Sequence, residues 1–102
     1  MARLQKQIRL YAWKKSSLRA REPNVRSVRA PQRKEFLQHV LTSNVSALDL
    51  NMAQYCIIPN ENGGAVDDAY LYLFQEDNYL LVVNAANIDK DLEHLNRALS
   101  GF

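Results

Sequence analysis

The sequence predicts a small α+β domain, in which an antiparallel sheet of about three strands has one helix before it and one helix after it. Apolar residues recur at helical spacing in residues 31–43 and again in residues 88–99. Between these segments, residues 53–84 show strand-like patterns that are twice interrupted by turn residues, which is typical of antiparallel hairpins. Helices that flank such a sheet pack on one of its faces. A chain of 102 residues has room for one domain of this kind.

The first helix is predicted over residues 31–43, because Pro31 suits a first helical turn and the apolar residues after it form one stripe. That stripe consists of Phe36, Leu37, Val40 and Leu41. His39 lies beside the stripe and is interpreted as a residue at the solvent edge, not as a ligand or base.

The first strand is predicted over Ala53–Ile58, with Tyr55 on one face and Cys56 on the other. Residues 60–64 contain Asn-Gly and Gly-Gly, so the backbone can adopt the positive φ angles of a hairpin turn. Cys56 is the single cysteine and lies in an apolar run, so we expect a buried thiol in a reducing compartment.

The second strand, predicted over Ala65–Gln75, carries two adjacent acids. Alternation places Asp67 with the core-facing leucines and Asp68 with Tyr70 and Tyr72. Because adjacent residues of a strand point to opposite faces, the two acids cannot form the close carboxylate pair of a glycosidase, and at most one acts in chemistry. The alternative is that both are polar residues of a hairpin end without a chemical role.

The third strand is predicted over Tyr79–Asn84, after a reversal at residues 76–78, and its apolar run indicates a central position. Asn87 then suits the N-cap of the second helix, and Gly101 lies just past its end. The apolar stripe of this helix consists of Ile88, Leu92, Leu95 and Leu99, with His94 off the stripe and solvated.

The N-terminal residues 1–30 form a basic extension for which little order is predicted. Residues 1–34 carry a net charge of +10, whereas residues 35–102 carry −8. The extension can lie on the acidic domain, bind nucleic acid or an anionic surface, or serve as a mitochondrial transit peptide. Leu4, Ile8 and Tyr11 share a helical face, but the pattern ends at Pro23.

Several function classes are excluded by residue types and spacing. The two histidines and the single cysteine show no metal-ligand spacing, so no metal site is predicted. No apolar run reaches the roughly 20 residues of a membrane span, and Gly63-Gly64 lies between strands, not before a phosphate-binding helix.

The sequence of the central segment resembles that of a known protein family. Tyr55, the turn at residues 60–64, Val66-Asp67-Asp68, Tyr72 and residues 79–92 are similar, in order and spacing, to the folate-binding domain of the glycine cleavage system T-protein, the aminomethyltransferase. The resemblance runs from about Phe36 to Leu95 and covers a small part of the much longer family enzyme. It implies that residues 31–102 are a partial domain of this type.

The resemblance assigns a role to one acid and three neighbours. Asp68 matches the acid that engages the folate near its reacting nitrogens, and we expect it to act as the catalytic base or electrostatic stabiliser. Tyr55, Tyr72 and Asn84 match further residues that bind the folate cofactor. A pterin ring presents donors and acceptors on a flat aromatic plate, so a carboxylate, an amide and phenols suit it.

The implied reaction is the transfer of a methylene unit from an aminomethyl group on a lipoyl carrier protein, the H-protein, to tetrahydrofolate, with release of ammonia. The family's further pocket residues fall outside the matching segment, so we expect an incomplete site that needs a complementary T-protein portion for turnover. The alternative is a non-catalytic folate-binding module, or an inert fragment whose basic arm binds nucleic acid or an anionic surface. The expected location is the cytoplasm, with the mitochondrial matrix as the alternative.

Overall fold

Five strands form one mixed sheet in the computed structural model, which describes residues 7–13 and 25–102. Two helices accompany the sheet, and the order of strands across it is β2-β1-β5-β4-β3. The elements in chain order are β1 (Gln7–Trp13), β2 (Val25–Arg29), α1 (Arg33–Val40), β3 (Met52–Pro59), β4 (Ala65–Gln75), β5 (Asn78–Asn84) and α2 (Ile88–Ser100).

The three predicted strands are present as β3, β4 and β5, and they pair antiparallel as consecutive hairpins. The turn between β3 and β4 places Gly63 at φ +89°, as the glycine-rich sequence requires, and Asn60 binds the turn amides of Asn62 and Gly64 through its side-chain oxygen at 2.8 and 2.9 Å. The α+β fold class is confirmed, and the predicted alternation along β4 matches its burial pattern.

Two further strands extend the sheet, so the predicted count of three strands and the wholly antiparallel pairing are wrong. β1 pairs parallel with β5, and β2 pairs antiparallel with β1. The helical interpretation of Ile8 and Tyr11 is also wrong. Ile8 and Leu10 are fully buried at strand spacing, whereas Arg9 and Tyr11 point to the other side. The parallel partner of β1 lies about seventy residues away, which a local pattern cannot reveal.

The described parts of the basic extension therefore belong to the sheet. Arg26 of β2 forms an ion pair with Asp89 in the first turn of α2 at 3.2 Å, a contact between the basic and acidic parts of the chain. The division of the chain at residue 30 remains a prediction. Leu4, Pro23 and most of the residues on which the transit-peptide and nucleic-acid alternatives depend lie outside the described residues.

Both helices cover the same face of the sheet, as predicted. α2 follows the expected stripe, with Ile88 and Leu95 buried, and ends at Ser100, with Gly101 as its C-cap. α1 ends earlier than predicted, because Thr42 pairs with β3: its N–H donates to the Ile57 carbonyl at 3.1 Å, and its Oγ1 accepts the Ile57 N–H at 3.0 Å. The loop after α1 thus provides hydrogen-bond partners for backbone groups on the outer edge of β3.

Arg33, at the start of α1, ties the helix to the turn between β4 and β5. Its side chain is almost fully buried, and its guanidinium donates to the carbonyls of Ala30 at 3.2 Å and Asp77 at 3.0 Å. It also forms an ion pair with the Asp77 carboxylate. Because Asp77 has a positive φ of 64°, this clamp fixes a turn whose backbone is otherwise costly for a residue with a side chain.

The other side of the sheet, which we call the open face, is not covered by any element of the described residues. Several large side chains project from it and are about half exposed, among them Tyr55 at 52% and Tyr70 at 49%. The open face carries Arg9, Tyr11, Tyr55, Asp68, Tyr70, Tyr72, Phe74 and Asn84. Of the described helices, none is long and apolar enough to cross a membrane.

Candidate functional site

Asp68 lies on the open face near the start of β4, and a tyrosine on the neighbouring strand orients it. The Tyr55 hydroxyl donates to Asp68 Oδ2 at 3.0 Å. This contact is diagonal across the sheet, since Asp68 is opposite Ile57 and Tyr55 is opposite Tyr70. The hydrogen bond to Asp68 raises the pKa of the Tyr55 phenol, so Tyr55 remains a donor at neutral pH.

Asn84 ends β5 and connects the two acids. Its Nδ2 donates to Asp67 Oδ1 at 2.7 Å and to Asp68 Oδ1 at 3.2 Å. Because Asn84 is the last residue of its strand, its side chain reaches acids that point to opposite faces. Both oxygens of Asp68 are therefore held, one by Tyr55 and one by Asn84.

Asp67 lies on the face that the helices cover and is only 7% exposed. The predicted separation of the two acids is thus confirmed. Asp67 Oδ1 also accepts the backbone N–H of Asp68 at 2.9 Å, which fixes the backbone beneath the exposed acid. Burial opposes the charge on Asp67, but hydrogen bonds from Asp91, Asn84 and the Asp68 N–H outweigh it and lower its pKa.

Aromatic rings flank Asp68 along the open face. The rings of Tyr55 and Tyr70 make an edge contact with centroids 5.5 Å apart. Tyr72 lies two side chains further along the same face of β4 than Asp68, about 13 Å away along the strand. It stacks on Phe74, with ring centroids 5.9 Å apart.

The structure therefore brings together three of the four residues predicted for the site, namely Tyr55, Asp68 and Asn84, and places Tyr72 on the same face beyond Tyr70. The sequence pattern places Tyr70 on this face but does not assign it to the site, although it fills the gap between the two predicted tyrosines. The assignment of the four residues to a folate site remains a prediction.

Sequence reasoning missed Asp91, which is fully buried in α2 and lies against Asp67. One signal was available. Asp91 follows Ile88 by three residues and precedes Leu95 by four, so it occupies the apolar stripe of the helix. A carboxyl group in such a position needs a buried partner.

The described residues hold no group of three or more side chains that could bind a metal ion. A cleft of about 370 Å³ lies between the β3–β4 turn and α2, where residues such as Asn60, Lys90 and His94 line it. Its lining carries both signs of charge and does not include Asp68. The chemistry that the arrangement offers is instead on the open face, where an oriented carboxylate lies among phenol rings and can accept protons or hydrogen bonds from a flat ligand.

Comparison with known proteins relates this arrangement to one family. Residues 25–101 match a family model described as GCVT N-terminal domain. Two bacterial aminomethyltransferases are similar to the chain: one from Deinococcus deserti is 54% identical over 67 residues, and one from Thermus thermophilus is 49% identical over 75 residues. The aligned parts cover 66% and 74% of this chain, but 19% and 22% of the two relatives.

A solved structure supports the same relationship at the level of the fold. The glycine cleavage system aminomethyltransferase T from Bartonella henselae superposes with a TM-score of 0.66 at 32% identity. The match covers 72% of this chain and 20% of that protein. The chain thus spans about a fifth of the length of the aminomethyltransferases that it matches.

Proposed function

Because the chain belongs to the family of the GCVT N-terminal domain, we propose that its open face is one wall of the tetrahydrofolate site of an aminomethyltransferase. The observation that carries this proposal is the cluster of Tyr55, Asp68 and Asn84, in which both oxygens of an exposed carboxylate are held in place. Such a group needs no rearrangement before it accepts hydrogen bonds from a ligand, so the cost of ordering it is already met by folding.

The residue types fit a reduced pterin. Each oxygen of Asp68 accepts one hydrogen bond and keeps a second lone pair, so the carboxylate can bind N–H groups or stabilise a nitrogen that becomes protonated. Tyr70 and Tyr72 offer aromatic surface further along the strand, so that the distance from Asp68 to Tyr72 of about 13 Å suits an elongated ligand. Tetrahydrofolate supplies the nitrogens that receive the one-carbon unit. The contribution of this chain is to bind and orient the acceptor and to stabilise charge near it.

The proposed site is one-sided. Tyr55 and Tyr70 are each about half exposed, whereas binding sites for small molecules usually enclose most of their ligand. We therefore infer that a complementary portion of an aminomethyltransferase covers the open face and completes the pocket. The transfer of a methylene unit from an aminomethyl-lipoyl carrier protein belongs to that complete assembly, in the cytoplasm, and this chain alone is not expected to turn over.

Binding of tetrahydrofolate to the isolated chain tests the proposal. Under anaerobic conditions, a titration followed by two-dimensional NMR is expected to shift the backbone amides around Asp68 and Asn84. Replacing Asp68 by Asn should weaken binding about tenfold, because the charge-assisted hydrogen bonds to the ligand are lost. Glu76→Gln is the matched control, since Glu76 is an exposed acid at the opposite end of β4.

Two results would overturn the proposal. One is the absence of binding by the wild-type chain at millimolar ligand. The other is equal affinity of the Asp68→Asn and Glu76→Gln variants. Turnover is a separate readout: methylene-tetrahydrofolate formed by this chain with aminomethylated carrier protein, without any added portion, would refute the inference that the site is incomplete.

A further inference from the structure

A buried pair of carboxyl groups lies directly behind the proposed site. Asp91 of α2 is 0% exposed and Asp67 of β4 is 7% exposed. Three of their four side-chain oxygens, Asp67 Oδ2 and both oxygens of Asp91, receive no hydrogen bond from an N–H group or a hydroxyl group of the described residues, so the only donor left to them is a proton on one of the two carboxyl groups. The two carboxyl groups nonetheless lie within hydrogen-bonding reach of each other.

Two buried carboxylates in contact cannot both remain charged at low cost, because each suffers desolvation and repels the other. One proton between them removes the conflict. Asp67 Oδ1 already accepts two N–H groups, from Asn84 and from the Asp68 backbone, and these favour the charged form of Asp67. The proton therefore belongs on Asp91, whose hydroxyl then donates to Asp67 Oδ2.

The charges around Asp91 support this assignment. Burial, followed by the hydrogen bond and the charge of Asp67, raises the pKa of Asp91 to about 8, while Lys90 on the same helix opposes the rise. Arg26 of β2 reaches the same end of α2, where it forms an ion pair with the exposed Asp89.

A continuous set of contacts leads from this pair to the open face. Asp67 holds Asn84 at 2.7 Å, and the same Asn84 nitrogen donates to Asp68 at 3.2 Å. The Asp67 oxygen also fixes the Asp68 backbone at 2.9 Å. Any movement of Asp67 therefore reaches both the backbone and the side chain of Asp68.

We propose that Asp91 is a positioning residue whose proton, shared with Asp67, holds Asn84 and Asp68 in the geometry that the open face presents to a ligand. Loss of that proton leaves two adjacent buried charges, and their repulsion displaces Asp67 from Asn84. The orientation of Asp68 then depends on Tyr55 alone. The effect on ligand affinity rests on the proposed function, whereas the coupling from Asp91 to Asn84 and Asp68 does not.

NMR tests the coupling without a ligand. The side-chain amide of Asn84 and the carboxyl carbon of Asp68 are followed from about pH 6 to about pH 10. In the wild-type chain, both signals are expected to shift with the midpoint at which the Asp91 carboxyl carbon titrates. In Asp91→Asn, whose amide can still donate to Asp67, the Asn84 and Asp68 shifts should be flat over this range. The control Asp89→Asn alters an exposed acid two residues away and should titrate as the wild type does.

A purely structural Asp91 would leave Asn84 and Asp68 insensitive to its titration, and that result overturns the inference. If Asp91→Asn fails to fold, the wild-type titration decides alone, because the three signals either share a midpoint or do not. If the signal of the Asp91 carboxyl carbon shows that the carboxyl group is already ionised at pH 6, the shared proton is also refuted.

The affinity for tetrahydrofolate provides a second test of the positioning role of Asp91. Wild-type affinity is expected to fall about tenfold between pH 7 and pH 9, the equivalent of one charge-assisted hydrogen bond. For Asp91→Asn, the affinities at pH 7 and at pH 9 should be nearly equal. Absence of binding at every pH would defeat the proposed function but leave the NMR coupling intact, whereas binding with equal pH profiles in both proteins would defeat the positioning role.

Discussion

Raising the pH above neutrality is expected to destabilise the folded chain through Asp91. The pKa of this residue is about 8 in the folded state against an ordinary value of 3.8. The contribution of Asp91 to stability is fully present below its ordinary pKa and is lost as the pH rises through its pKa in the folded state. Between these two pKa values the native state holds a proton that the unfolded chain has released.

The magnitude follows from linkage. One additional bound proton changes the free energy of unfolding by about 1.4 kcal/mol per pH unit. From pH 6 to pH 9, the loss attributable to Asp91 is about 3 kcal/mol, because the titration is nearly complete at the upper limit. This is a large share of the roughly 5–15 kcal/mol that stabilises a typical domain.

Urea denaturation followed by far-ultraviolet circular dichroism measures the loss at intervals between these pH values. Asp91→Asn serves as the comparison, because its side chain can donate to Asp67 without titrating. The difference between the two pH profiles isolates Asp91 from every other group, including Cys56, whose raised pKa acts in the same direction at the alkaline end. Parallel profiles for the two proteins would refute the assignment of the proton to Asp91.

Three further outcomes are expected. Burial raises the pKa of the Cys56 thiol to about 11, so alkylation at pH 8 should be about 100-fold slower in the folded chain than in guanidinium; equal rates would contradict this. Gly63→Ala should lower the free energy of unfolding by about 1 kcal/mol, because φ is +89° and an added Cβ meets no atom within 4 Å; an unchanged urea midpoint would show that the turn relaxes. Phe36→Ala should cost about 3–5 kcal/mol, since Phe36 is fully buried, whereas Phe74→Ala on the open face should cost much less; comparable losses would mean that the core is misassigned.

Sequence patterns identified those parts of the fold that depend on neighbours in the chain. Alternation along β4 separated Asp67 from Asp68, and the glycine-rich turn fixed the hairpin that places Tyr55 beside them. The stripe of α2 predicted which side of the helix is buried. In each case the deciding information lies within a few residues, where period and turn chemistry are reliable guides.

The elements that were missed depend on partners distant in sequence. Ile8 and Leu10 alternate as a strand does, but the surrounding arginines obscured the pattern, and the pairing with β5 has no local sign. The role of Asp91 depends on a distant partner in the same way. Its position in the helix was predictable, whereas its contact with Asp67 depends on how α2 lies across the sheet.

The place of β5 in the sheet has a consequence for the order of folding. β5 is the last of the five strands in the sequence, yet it occupies the middle position, between β1 and β4. The pair β1–β2 can form early, but it can join β3 and β4 only after β5 has been synthesised. This step is slow, because a loop of about seventy residues must lose conformational entropy before the β1–β5 contacts can stabilise it. We therefore expect β1 and β2 to dock last, so that their amide hydrogens become protected later during refolding than those of β4.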